Sequence, residues 1–149
     1  MFAPVPVVNL LTNGDFAVEP IGHGFDWRLA HPPGVTDISL GGAHRVLLSG
    51  KQPEACEVLR QFAVLEAGKR YSLHWEARTR GLVSATGIEW RAGKAHGVVE
   101  NADEWRAGSV DFTASTDLTP IALGYQRPPG EVRAEGSIEI RNVSLVEQR

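Results

Sequence analysis

Between residues 71 and 80 the chain alternates strictly in character. Tyr71, Leu73, Trp75, Ala77 and Thr79 fall on one parity, and Ser72, His74, Glu76 and Arg78 on the other. Successive side chains of a β-strand point to opposite faces, so this run reads as a strand with one oily and one hydrogen-bonding side. A helix would scatter both sets around its circumference. A second strand is expected over residues 136–146, with Ile138, Ile140, Val143 and Leu145 as its apolar positions. Its parity changes between Ile140 and Val143, which predicts a bulge at Arg141 and Asn142 that restores the inward face.

Short apolar runs separated by turn residues continue along the whole chain. Asn13-Gly14-Asp15, Pro32-Pro33-Gly34, Gly41-Gly42, Gly68 and Pro128-Pro129-Gly130 supply the breaks. Further strands are expected over 35–40, 44–49, 86–91, 107–112 and 120–126. Many short strands between turns read as an all-β domain, and 149 residues suffice for one core without staples. The single cysteine, Cys56, rules out a disulfide framework within the chain and zinc-ligand spacing among cysteines. Acidic and basic residues are interspersed at a net charge of -3, and no basic stripe of the kind nucleic-acid binders carry is visible. No apolar run approaches a membrane span. The apolar N-terminal residues 1–8 lack the basic start of a signal peptide.

Residues 53–68 fit two readings. Val58, Leu59, Phe62 and Leu65 have helical spacing between Pro53 and Gly68, yet the same residues also split as a strand buried on both sides. Periodicity alone does not separate the two.

Three segments resemble a known class. Residues 9–16 (Asn-Leu-Leu-Thr-Asn-Gly-Asp-Phe) resemble the opening strand and turn of carbohydrate-binding modules attached to xylanases and cellulases, members of the galactose-binding-like jelly rolls. Residues 65–73 are similar to the turn into their central strand, with Arg78 at its end, and residues 138–145 to their closing strand. The likeness is closer to the C-terminal domain of certain bacterial tetratricopeptide-repeat proteins, which share Gly-Phe-Asp-Trp-Arg (residues 24–28) and a late Arg127-Pro128. The resemblance implies a two-sheet antiparallel β-sandwich over residues 1–149, with 53–68 containing a strand. It also implies an accessory domain of a longer bacterial protein, which favours a periplasmic or extracellular location; the alternative is a cytoplasmic protein. Related modules hold a structural calcium with an acidic residue after the Asn-Gly-Asp-Phe turn and an aspartate before the final Val. Here Ala17 and Asn142 stand in those places, so no cofactor is expected. Arg141 is expected to supply the positive charge instead, facing Asp15 or Glu19.

Trp75 and Trp90 are in phase with apolar neighbours and read as core; Trp27 reads as structural; Trp105 fits either a core or an exposed position. The candidate ligand-binding residues are His74, Glu76, Arg78, Glu89, Arg91, Trp105, Gln126 and Arg127. If their strands share one concave sheet, they form a groove of carboxylates and guanidiniums suited to vicinal hydroxyls or acidic groups. The alternative is a solvated sheet face held by cross-strand pairs. Glu76 and Glu89 are the only carboxylate pair to nominate for acid-base work. Nucleophile, metalloprotease and phosphate-loop motifs are missing from the sequence, and the five histidines lack metal-ligand spacing. The expectation is therefore a non-catalytic module for an oligo- or polysaccharide. The alternative is a domain of the same fold that binds a protein partner or a second copy of itself.

Overall fold

The alternation at 71–80 becomes the strand around which the molecule is built. The computed structural model describes residues 8–21, 25–83 and 85–148. Apart from Val8, the apolar N-terminal run lies outside them, as do His23 and, from the 24–28 motif, Gly24. The strands are β1 (Arg28–Leu29), β2 (Val35–Ser39), β3 (His44–Ser49), β4 (Ala55–Val64), β5 (Arg70–Arg80), β6 (Ile88–Ala92), β7 (Ala95–Val98), β8 (Arg106–Thr113), β9 (Leu118–Gln126) and β10 (Glu135–Glu147). They form two five-stranded antiparallel sheets. The first runs β1-β4-β9-β6-β7 and the second β2-β3-β10-β5-β8. Among the described residues there is no helix, so 53–68 resolves as β4 with its flanking turns.

In β5, Tyr71, Leu73, Trp75, Ala77 and Thr79 are all buried between the sheets. The parity change in β10 is a register shift between Arg141 and Ser144 against β5, with Asn142 at φ 50°. It returns Val143 and Leu145 to the core beside Ile138 and Ile140. β4 carries a second irregularity, between Glu57 and Leu59. Two adjacent residues, Val58 and Leu59, are therefore both buried, which is what gives the segment its helix-like sequence pattern.

Aromatic rings cross the core in a chain. Phe16 stacks on Trp27 at 5.5 Å, Trp27 lies 5.8 Å from Trp90, and Trp90 lies 6.3 Å from Trp75. Such contacts add about 0.5–1.5 kcal/mol each beyond area burial. Trp27 is fully buried and donates its indole N–H to the Asn13 carbonyl at 2.9 Å. Asp26 beside it accepts backbone N–H groups from Trp27 and Ile21, so the Phe-Asp-Trp motif anchors the loop before β1.

The opening segment is not a strand. Direct hydrogen bonds tie it to β10: Leu10 N–H to Leu145 O, Val143 N–H to Gly14 O, and the Asn9 amide to Val143 O. Gly14 has no room for a side chain, since a Cβ there would run into the Val143 carbonyl.

Candidate functional site

The eight nominated residues do not share a sheet. In β5 the even-numbered His74, Glu76 and Arg78 point outward because Leu73, Trp75 and Ala77 fill the core. In β6, Ile88, Trp90 and Ala92 are buried at 0%, so Glu89 and Arg91 face out of the other sheet. Gln126 follows the inward Ile121, Leu123 and Tyr125 of β9 and is exposed on that side too. His74, Glu76, Arg78 and Trp105 thus belong to one outer face and Glu89, Arg91 and Gln126 to the opposite one. The single groove expected from the sequence is corrected to two faces. Glu76 and Glu89 stand on opposite sides of the sandwich and cannot flank one bond.

On the first sheet, central β9 presents Ala122 and Gly124 outward, positions with almost no bulk. Arg60 of β4 and Arg91 of β6 flank Ala122, while Glu57 and Glu89 flank Gly124. His96 of β7 lies beyond Arg91. The result is a strip of small residues bordered by polar side chains, a trough whose floor, Ala122 and Gly124, is buried beneath them. One wall is held by Arg60, whose Nε donates to both Glu57 carboxylate oxygens at 2.9 Å and whose guanidinium lies 5.5 Å from the Phe62 ring. The other wall is held by Glu89, which accepts Arg91 Nε at 2.9 Å and meets His96 Nδ1 at 3.1 Å. Burial pushes the Glu89 carboxyl up, but hydrogen bonds from Arg91 and His96 outweigh it and hold the group below the ordinary carboxylate value. The Arg91 guanidinium reaches over the floor: a Cβ on Gly124 would meet it at 2.7 Å.

Beyond Phe62 the trough opens onto an apolar end. A cavity of about 360 Å³ is lined by Asn9, Leu10, Thr12, Phe25, Phe62 and Val64. Phe25 and Val64 are exposed, and Leu118 stands opposite Val64 across the strand pair. Sequence alternation does not single out Glu57, Arg60, Phe62 or His96. The bulge hides the outward parity of β4, and β7 is too short to show a pattern. The one available signal is the pair of small residues at alternate positions in the 120–126 strand.

The second sheet's outer face is filled rather than open. One cross-strand row reads Arg45 on β3, Glu139 on β10 and Arg78 on β5. Trp105 stands next to β8 at the end of that row, one position past the Ala77–Arg106 pair. Glu139 is buried and bridges Arg45, at 2.7 Å, with Arg78. Burial would raise its carboxyl pKa, but hydrogen bonds from Arg78 and Arg45 bring it below the ordinary value. In the next row Glu76 accepts the Asn142 amide at 3.0 Å and Arg141 Nε at 3.3 Å, which lowers its pKa as well. Trp105, half-buried, lies against both guanidiniums, 4.6 Å from Arg78 and 3.9 Å from Arg141. Arg141 therefore faces Glu76 and Trp105, not Asp15 or Glu19, which corrects the expected charge substitution. His74 is exposed, opposite Ser109 and Ser144. Arg127 is not free to meet a ligand: it bonds the Glu131 carbonyl at 2.8 Å and pairs with Glu54 at 3.2 Å, clamping the loop after β9.

At the fold's opening, where the resemblance implies a calcium site, the side chains are engaged with the protein itself. Asp15 accepts the Ala17 N–H, Asn9 Oδ1 accepts from Leu11 and Leu145, and the Asn142 amide turns to Glu76. Among the described residues, no group of three or more His, Cys, Asp or Glu is placed to hold a metal.

No family model matches the chain, and no curated protein matches it. Solved structures match it in fold. A CBM4 structure superposes with a TM-score of 0.67 at 14% identity, over 93% of this chain and 99% of that one. TmCBM61, in complex with beta-1,4-galactotriose, gives 0.64 at 18% identity over 95% and 99%. A CBM29-2 mutant complexed with cellulohexaose, from the family 29 carbohydrate binding modules, gives 0.55 at 16% over 95% and 90%. The chain therefore has the two-sheet jelly-roll fold of the carbohydrate-binding modules.

Proposed function

We propose that this domain is a non-catalytic carbohydrate-binding module that holds a saccharide along the outer face of the first sheet. The observation that carries this is the Ala122–Gly124 floor between two guanidiniums, Arg60 and Arg91, each fixed by its own carboxylate. Groups held in this way are preorganised to meet vicinal hydroxyls without paying for their own ordering. The apolar end at Phe62 and Phe25 supplies flat surface for the C–H face of a sugar ring. Structures of the same fold have been solved with a galactotriose and with cellulohexaose, which supports a saccharide as the class of ligand.

A catalytic role is disfavoured by charge. Glycoside hydrolysis by two carboxylates needs one of them protonated, with a raised pKa. Across the trough, Glu57 and Glu89 are both hydrogen-bonded to guanidiniums, and Glu89 is shifted down. We assign no calcium to the domain, and its placement in a longer, exported bacterial chain belongs to the same proposal.

A glycan array probed with the isolated domain tests the reading, followed by calorimetry on the best glycan. Arg60→Ala and Arg91→Ala should each weaken binding about tenfold or more. Gly124→Leu should abolish it, because the new side chain displaces the Arg91 guanidinium that lies over the floor. No bound glycan, or unchanged affinity in all three folded variants, refutes the proposal.

A further inference from the structure

The second sheet's outer face holds a cluster that the trough does not use. Four arginines, Arg45, Arg78, Arg80 and Arg141, stand in adjacent rows with two carboxylates, Glu76 and Glu139. They come from three strands, β3, β5 and β10, which is why no basic run shows in the sequence. Glu139 is consumed by Arg45 and Arg78. Arg78 and Arg141 each give only Nε to a carboxylate, so the terminal nitrogens of both make no hydrogen bond among the described residues. Arg80, exposed and two residues along from Arg78, makes none either.

Against the Arg78 and Arg141 guanidiniums lies Trp105, the one tryptophan that is not buried. Trp27, Trp75 and Trp90 are all at 4% exposure or less. A guanidinium placed against an indole keeps its in-plane N–H groups free to bind while its flat face is covered. The array thus offers forked donors beside an aromatic surface, with an excess of positive charge. A hexuronic acid matches both parts within one residue. Its pyranose ring has an apolar face for an indole, and its carboxylate, attached directly to ring carbon 5, lies at the ring's edge, where guanidinium donors can reach it.

We propose that Trp105, Arg78 and Arg141 form a second saccharide site, on the face opposite the trough, that recognises the carboxylate of an acidic sugar. Arg80 and Arg45 add long-range attraction, and Glu76 and Glu139 hold the guanidiniums in place. This site stands independently of the trough.

The test uses trigalacturonate as probe and galactotriose as its neutral counterpart, at low ionic strength, read by tryptophan emission and calorimetry. Because the other three indoles are buried, a saturable change in emission reports on Trp105. Trigalacturonate should produce that change and galactotriose should not. Arg141→Gln, whose partner Glu76 remains solvent-accessible, should fold and should bind trigalacturonate about tenfold more weakly. Lys94→Gln, which removes the same charge in the β6–β7 turn, should bind as the wild type does. The proposal is overturned if trigalacturonate leaves the emission unchanged or if galactotriose changes it equally. It is also overturned if folded Arg141→Gln keeps wild-type affinity, or if Lys94→Gln loses as much as Arg141→Gln.

Discussion

Gly97 and Gly108 matter for the atom they lack. The Trp75 indole runs out to the edge of the sandwich between β7 and β8, which belong to opposite sheets. A Cβ on Gly108 would sit 2.5 Å from the ring, and one on Gly97 would also strike it. Neither glycine is required by positive φ, so the demand is purely steric. Gly108→Ala should therefore destabilise the domain by about 1–3 kcal/mol, as overpacking of a rigid ring does. Urea unfolding measures it; a change under about 0.5 kcal/mol would show that the indole moves aside freely. Gly124 presents the contrasting case. The nearest atoms a Cβ would meet there belong to the Arg91 guanidinium, at the end of an unbranched side chain rather than in a rigid ring. The Trp75 side chain is legible as core from its parity, whereas the glycines that accommodate it are not, because their partners lie across the fold.

At the scale of the strand, the Arg45–Glu139–Arg78 row ties β3, β10 and β5 together on one face. Glu139 is 4% exposed while its partners are partly open to solvent, so the row contributes about 1–2 kcal/mol rather than the larger cost of a fully buried pair. Its folded pKa lies below the unfolded value. The stabilisation is therefore complete above the ordinary carboxylate pKa and is lost as pH falls through the depressed one. Glu139→Gln should lower the melting temperature at neutral pH and approach the wild type as the pH falls through the depressed Glu139 pKa. A variant deficit that stays constant from neutral pH to acid would contradict this. The strands themselves were readable to different degrees. β5 and β10 declare themselves by alternation, and the β10 bulge by its slip in phase. β4 does not, since its irregularity at Glu57 to Leu59 buries two neighbours in succession and mimics a helix. β1 and β7, of 2 and 4 residues, are too short for any period to appear.

At the scale of the molecule, hydrogen bonds join the first segment to the last strand. Backbone and Asn9 hydrogen bonds occupy the junction where related modules place an ion. Millimolar calcium should leave the melting temperature unchanged, by thermal shift, and a clear saturable rise would show that a site forms despite Ala17 and Asn142. Alternation along single strands determined that this chain makes a half-buried β architecture, which residues fill the core and which face water, because parity is a local property of an extended backbone. Only the tertiary structure decided that β5 and β6 enter different sheets, since strand order depends on long-range hydrogen bonding that no local pattern encodes. That partition divided the outward residues between two faces. It left Gly124 under Arg91 in one and brought Arg78 of β5 and Arg141 of β10 against Trp105 in the other.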